Sequence, residues 1–208
     1  MINQDKTITK TELSEVLIDV RKAYRLLYLY QRRVLDTIKY IADVLSLKVR
    51  SGWTIYGDQH PKNGAKLDLD LWAWDWLTMY MYEFYFGVNE TAKGNIQFAI
   101  IVQSDTGSYD SDADALEIDK FAPVEISATK LIFILGLNTW KNQDDENLEI
   151  YSKNGNNEYV RIDAENKIFL MKSYDLGSFI NDEGVLGNLR DFISFAESNE
   201  VGGFFSSI

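Results

Sequence analysis

Residues 9–47, TKTELSEVLIDVRKAYRLLYLYQRRVLDTIKYIADVLSL, predict the longest element of the chain, an α-helix. Apolar side chains recur from Leu13 to Leu45 at alternating steps of four and three residues, and Gln31 alone interrupts the row. That spacing places them on one face of a helix. Thr9 and Glu12 also match a capping box, in which each side chain bonds the backbone N–H of the other residue. We therefore expect one helix from about Thr9 to Leu47.

An average step of 3.5 residues is also found in coiled coils, which usually carry charged residues beside the apolar seam. Here the flanking positions are mostly apolar. They read Val16, Ala23, Tyr30, Thr37 and Val44 on one side, and Ser14, Arg21, Tyr28, Leu35 and Ala42 on the other. A stripe of this width favours a helix packed on its own domain or on a partner helix. A simple two-stranded coiled coil is the less favoured alternative.

The remainder of the chain alternates short apolar segments with turn-forming residues. Residues 49–66 read as a loop that can hold one short strand. Strand-like segments rich in β-branched and aromatic residues follow at 78–86, 96–103, 126–137, 148–151, 159–162 and 168–171. Residues 89–94 and 163–167 read as turns, Asn154-Gly155 has a hairpin signature, and Val185–Glu197 reads as a helix. Helices segregated from antiparallel strands predict an α+β fold. We expect a single domain, 1–208, with an acidic part over 51–208.

Composition excludes several classes of site. The chain has 208 residues, no Cys and one His, which is His60. A disulfide framework, a thiolate metal centre and a cysteine nucleophile are therefore excluded. A serine-type triad or a histidine metal site would have to be built around His60.

Charge is unevenly distributed along the chain. The net charge is −11, but residues 1–50 hold 10 basic and 6 acidic residues, whereas residues 51–208 hold 11 and 26. Nucleic acid is an unlikely partner, because binding to it depends on cationic side chains that contact phosphates. The sequence contains no run of 18 apolar residues, so it predicts no membrane span, and its first ten residues lack the apolar stretch of a signal peptide. We accordingly expect a cytoplasmic protein.

Carboxylates are the main candidates for any catalysis. Asp68, Asp70 and Asp75 lie near one another in sequence, and Glu83 follows them. Paired carboxylates can hold Mg²⁺ for phosphoryl chemistry. His60 lies two residues after Asp58 and could serve as a general base. No phosphate-binding glycine motif or strained serine turn accompanies these residues.

A second acidic group, Asp110, Asp112 and Asp114, has the spacing that opens a calcium-binding loop. The continuation does not match, because the glycine and glutamate that such a loop requires are Ala115 and Phe121 here. The group reads as a solvated loop, with weak Ca²⁺ binding as the alternative. We expect no resident cofactor.

Two surfaces could bind a macromolecule. Arg25, Arg32 and Lys39 recur every seven residues along the helix, with Tyr28 nearby. This line could contact an acidic partner, or it could be a solvated face with i,i+4 ion pairs such as Arg32–Asp36. Trp72, Trp74 and Trp76 could form a protein-binding or stacking platform, or they could fill the core.

These features favour a protein that acts by binding another protein or a second copy of itself, as inhibitor, immunity and accessory proteins do. The long helix and the aromatic segment would supply the contact. A metal-dependent nuclease or phosphohydrolase built on Asp68, Asp70 and Asp75 is the first alternative. An acidic mimic of DNA that blocks a DNA-binding enzyme is a weaker one.

Overall fold

The computed structural model describes residues 9–55, 73–77, 79–108, 117–139, 157–164 and 166–205, with only the backbone of Trp74 and Asp75. The chain divides into two compact units, Met1–Tyr40 and Ile41–Ile208. We refer to the second as the sheet unit. In the described parts of the chain, no helix is both long and apolar enough to cross a membrane.

The first helix, α1, spans Lys10–Val44. The predicted capping box is confirmed: the backbone N–H of Thr9 donates to Glu12 at 2.8 Å, and that of Glu12 donates to the Thr9 hydroxyl at 3.2 Å. The helix ends three residues before the predicted Leu47, because Ser46 adopts a left-handed backbone with φ 54°. The N–H of Leu47 then donates back to the carbonyl of Ala42 at 2.9 Å, which closes the last turn.

Within the described residues, six strands form one antiparallel sheet in the order β1-β2-β3-β4-β6-β5. Their bounds are β1 Ser51–Thr54, β2 Met81–Thr91, β3 Gly94–Gln103, β4 Lys130–Leu137, β5 Glu158–Ala164 and β6 Lys167–Asp175. A second helix, α2, spans Asp182–Ser198 and follows a 3₁₀ turn, Leu176–Phe179. The α+β class predicted from the sequence is confirmed.

Several strand limits differ from the predicted ones. Strand β2 ends at Thr91 and strand β3 begins at Gly94, so the turn predicted over 89–94 is only the two residues between them. Strand β4 begins at Lys130 rather than near Ile126, because the N–H groups of Ile126 and Ser127 donate to the carbonyl of Pro123 and close a turn. The predicted strand 148–151 and the Asn154-Gly155 hairpin lie outside the described residues.

One face of the sheet packs against α2 through aromatic rings. Phe133 on β4 lies 5.2 Å from Phe192 of α2 and 6.0 Å from Phe98 on β3, measured between ring centroids. Phe205, near the end of the described chain, contacts Phe98 at 5.3 Å. Phe98, Phe133 and Phe192 are almost entirely buried, so this face forms a main part of the core.

The opposite face of the sheet carries a second apolar cluster. It consists of Met81, Tyr85, Ala99, Ile101, Ile132, Ile134, Phe169 and Met171. Partly buried side chains pack against it, among them Trp53 and Tyr80. Tyr85 and Phe86 of β2 are both buried, because Tyr85 packs in this cluster and Phe86 packs against Phe98 on the other face. The central strands β3 and β4 are therefore buried on both sides.

Candidate functional site

The most unusual surface of the described chain is the first two thirds of α1. Every residue from Lys10 to Leu29 is exposed, Tyr30 and Gln31 are half-buried, and Val34 is the first buried side chain. We call residues 10–33 the exposed helix segment. Further along the same stripe, Ile38, Ile41 and Leu45 are buried. The apolar stripe that the sequence predicts to be covered is thus buried at its C-terminal end and exposed before it.

Many of the exposed side chains in this segment are large and apolar. They are Leu13, Val16, Leu17, Ile18, Val20, Tyr24, Leu26, Leu27, Tyr28 and Leu29. Leu17 is 45% exposed and Tyr28 63%. Together these side chains, which lie around the helix and not in one patch, expose on the order of 1,000 Å².

The basic residues predicted to form a line along α1 are exposed. Arg25, Arg32 and Lys39 all face solvent. Arg32 Nε lies 3.9 Å from Asp36 Oδ2, so the predicted i,i+4 pair is present at the limit of an ion-pair contact. Exposed pairs of this kind contribute little to stability. The line therefore keeps most of its positive charge available to a partner.

A buried carboxyl group lies on the sheet face opposite α2. Glu83 pairs with Trp53 of β1 and with Ile101 of β3, and its side chain is 4% exposed. Trp53 shares a hydrogen bond with its carboxyl group, while Oε1 has no hydrogen-bond partner among the described residues. Glu83 therefore sits between apolar neighbours with half of its acceptor capacity unused.

This position changes the protonation of Glu83. Burial raises the pKa of Glu83 to about 8, and the Trp53 bond offsets part of that rise. The carboxyl is therefore largely protonated at neutral pH. A metal ligand must be ionised, so a cation bound at Glu83 would have to displace this proton.

The structure does not describe the side chains of the other residues in the carboxylate hypothesis. Asp68, Asp70 and His60 lie outside the described residues, as do Asp110, Asp112 and Asp114. The side chain of Asp75 is likewise not described, although its backbone belongs to a 3₁₀ helix, Ala73–Trp76. Within the parts of the chain that are described, no three Asp, Glu or His side chains cluster as metal ligands would.

The tryptophan segment is described in part. Trp76 is 57% exposed at the end of the 3₁₀ helix, whereas Trp72 and the side chain of Trp74 lie outside the described residues. With more than half of its surface in water, Trp76 does not fill the core.

A charged cluster ties β5 and β6 to α2. Lys172 Nζ lies 2.7 Å from Glu158 Oε1 and 2.6 Å from Asp191 Oδ2, and the Tyr174 hydroxyl donates to Asp191 at 2.7 Å. Lys172 Nζ also lies 5.2 Å from the ring centre of Phe195. Burial works against the charge of Lys172, but its two carboxylate partners outweigh it and the pKa of Lys172 is raised. The cluster joins neighbouring elements and serves the fold.

Sequence reasoning missed both the Lys172 cluster and the burial of Glu83. A signal for Glu83 was present, because Met81, Glu83 and Tyr85 alternate along β2 and so share one face. The Lys172 cluster had no such signal, since its members meet through strand pairing and the packing of α2.

The family comparison covers nearly the whole described chain. The chain belongs to the PM0109 family, whose model matches residues 10–201. No curated protein and no solved structure matches it. The matched range includes the exposed helix segment as well as the sheet.

Proposed function

We propose that this member of the PM0109 family is a protein-binding module whose contact surface is the exposed helix segment. The observation that supports this proposal is the set of ten large apolar side chains between Leu13 and Leu29 that are exposed. Covering apolar surface contributes about 25 cal/mol per Å², so burying this segment against a partner helix or groove would favour binding strongly.

The residue types suit recognition as well as affinity. Tyr24 and Tyr28 are 71% and 63% exposed, and tyrosine is enriched at the centres of protein interfaces. Arg25 and Arg32 lie beside them and can select a partner by charge. This combination of an apolar centre and a charged border is typical of an interface.

Native mass spectrometry of the full chain tests this proposal. The method detects a second copy and an unrelated co-purified partner alike, so it does not presuppose which one binds. We expect a specific complex heavier than the 23.9 kDa chain. The double variant Leu17→Lys/Leu27→Lys is expected to abolish that complex.

The matched control is Val124→Lys, which changes an apolar side chain that is 74% exposed on the sheet unit. It should leave the complex intact. A mass of 23.9 kDa alone for the unmodified chain, or the same complex in all three proteins, would overturn the proposal.

A further inference from the structure

We infer that the exposed helix segment binds a second copy of the same segment in the antiparallel direction. This inference rests on the proposed function and names its partner. Three observations support it: the heptad register, the distribution of charge along α1 and the extent of the exposed surface.

The first observation is the register. When the segment is written in heptads, Leu17, Tyr24 and Gln31 occupy position a, and Leu13, Val20 and Leu27 occupy position d. In an antiparallel pair, a position a lies level with a position d of the other helix. One alignment satisfies this throughout, with Val20 opposite Tyr24, Leu17 opposite Leu27 and Leu13 opposite Gln31. Its two-fold axis passes near Lys22.

The length of α1 ahead of its buried part is compatible with the same alignment. The exposed helix segment is bounded by the start of the helix at Lys10 and by the buried Val34, and its midpoint lies between Arg21 and Lys22. An antiparallel pair centred there covers the segment completely and ends where Val34 begins the buried part of α1. On the flanks, Ser14 faces Tyr28 of the second copy and Ala23 faces its own counterpart, while the two Arg21 side chains face each other near the axis and must extend towards solvent.

The second copy is also favoured by charge. Residues 10–19 contain three acidic residues and one basic residue, whereas residues 20–33 contain five basic residues and no acidic one. Antiparallel pairing places the acidic part of each copy beside the basic part of the other. Parallel pairing would place the two acidic parts side by side and the two basic parts side by side. Residues 51–208, with a net charge of −15, then follow from opposite ends of the helix pair.

The area is adequate for a dimer. The seam and flanking side chains Leu13, Val16, Leu17, Val20, Tyr24, Leu27 and Tyr28 are each 39–71% exposed. Covering them approaches the roughly 800 Å² per partner of a standard interface. Leu29 is 62% exposed but occupies position f, away from the seam, so it supplies a matched control.

Disulfide trapping in the full chain tests the direction, and the absence of native cysteine makes every introduced thiol diagnostic. Leu17→Cys and Leu27→Cys are prepared separately and oxidised alone or as an equal mixture. In the antiparallel pair, the two Leu17 positions are separated by ten residues along the axis, about 15 Å. A disulfide requires Cα atoms within about 7 Å.

We expect the mixture to form at least tenfold more cross-linked dimer than either variant alone, or than a mixture of Leu17→Cys with Leu29→Cys. Efficient cross-linking of Leu17→Cys with itself would show parallel pairing and overturn the inference. If no variant cross-links but native mass spectrometry still finds a complex that Leu17→Lys/Leu27→Lys abolishes, the inference fails while the proposed function stands, and the mass shows whether the partner is another protein or a second copy paired in a different way. If neither experiment finds a complex, both fail.

Discussion

The exposed helix segment and strands β3 and β4 are both rich in large apolar residues, but they differ in how far these residues are buried. Phe98, Ile100 and Phe133 are completely buried, whereas Leu17 is 45% and Tyr28 63% exposed. A central strand buries both of its faces within one chain. The helix segment has an apolar surface that stays exposed among the described residues. Apolar content therefore shows that a segment needs to be covered, and only the structure shows whether the cover comes from the same molecule.

The largest effect should come from the sheet core. Phe133→Ala removes a ring that contacts Phe98, Phe179, Phe192 and Tyr174, so we expect the free energy of unfolding to fall by about 3–5 kcal/mol. Urea denaturation measures this loss. Leu17→Ala, examined at a dilution where the chain is monomeric, should change the same quantity by less than about 1 kcal/mol. Equal losses in the two variants would contradict the contrast drawn between the two regions.

Glu83 gives the sheet core a dependence on pH. Its carboxyl keeps its proton up to about pH 8 in the folded chain, because burial raises the pKa from its ordinary 4.5. Between these values the folded chain holds one proton more than the unfolded chain. The free energy of unfolding should therefore fall as pH rises, by at most about 1.4 kcal/mol per pH unit.

Glu83→Gln should remove this dependence, since the amide keeps an oxygen for the Trp53 bond and does not titrate. Comparing urea denaturation at pH 6 and pH 8, we expect the variant to lose roughly 2 kcal/mol less than the original chain. Glu90→Gln, an exposed position on the same strand, is the control and should keep the original slope. An unchanged slope in Glu83→Gln would show that its carboxyl is ionised in the folded chain.

A smaller effect is expected at the Lys172 cluster. Asp191→Asn removes the charged partner of Lys172 and weakens the bond from Tyr174, so the free energy of unfolding should fall by about 1–2 kcal/mol. Burial opposes ionisation of Asp191, but bonds from Lys172 and Tyr174 hold its pKa below the ordinary value. The stabilisation is therefore present at neutral pH and is lost as pH falls through that lowered pKa. Glu197→Gln, exposed on the same helix, should change stability by less than about 0.5 kcal/mol.

The smallest effect should be at Leu29. Although Leu29 is large and 62% exposed, it lies outside the proposed seam. Leu29→Ser should change the free energy of unfolding by less than about 0.5 kcal/mol and leave the native mass of the complex unchanged. If Leu29→Ser dissociated the complex as Leu17→Lys/Leu27→Lys is expected to do, the contact surface would have to extend around the helix.

The sequence allowed the fold class and most elements to be predicted, because their signals are local. Thr9 and Glu12 marked the start of α1, and the β-branched and aromatic residues around Phe98 and Phe133 marked strands. The limits of the elements were predicted less accurately. The start of β4 depends on the turn at Pro123 and the end of α1 on the left-handed Ser46, and both involve hydrogen bonds over a few residues. The position of the candidate surface could be predicted from the sequence, but its exposure could not. Leu17 and Ile41 belong to the same apolar stripe, and only Ile41 is buried.

Amide hydrogen exchange of the full chain, followed as a function of protein concentration, tests the central claim most directly. Among the described residues, those from Lys10 to Leu29 are all exposed, so the helical amides of this segment should exchange quickly when the chain is dilute. We predict that protection of residues 10–33 rises at least tenfold from dilute to concentrated protein, while protection of β3 and β4 stays constant. Protection of the helix segment that does not change with concentration would contradict the account.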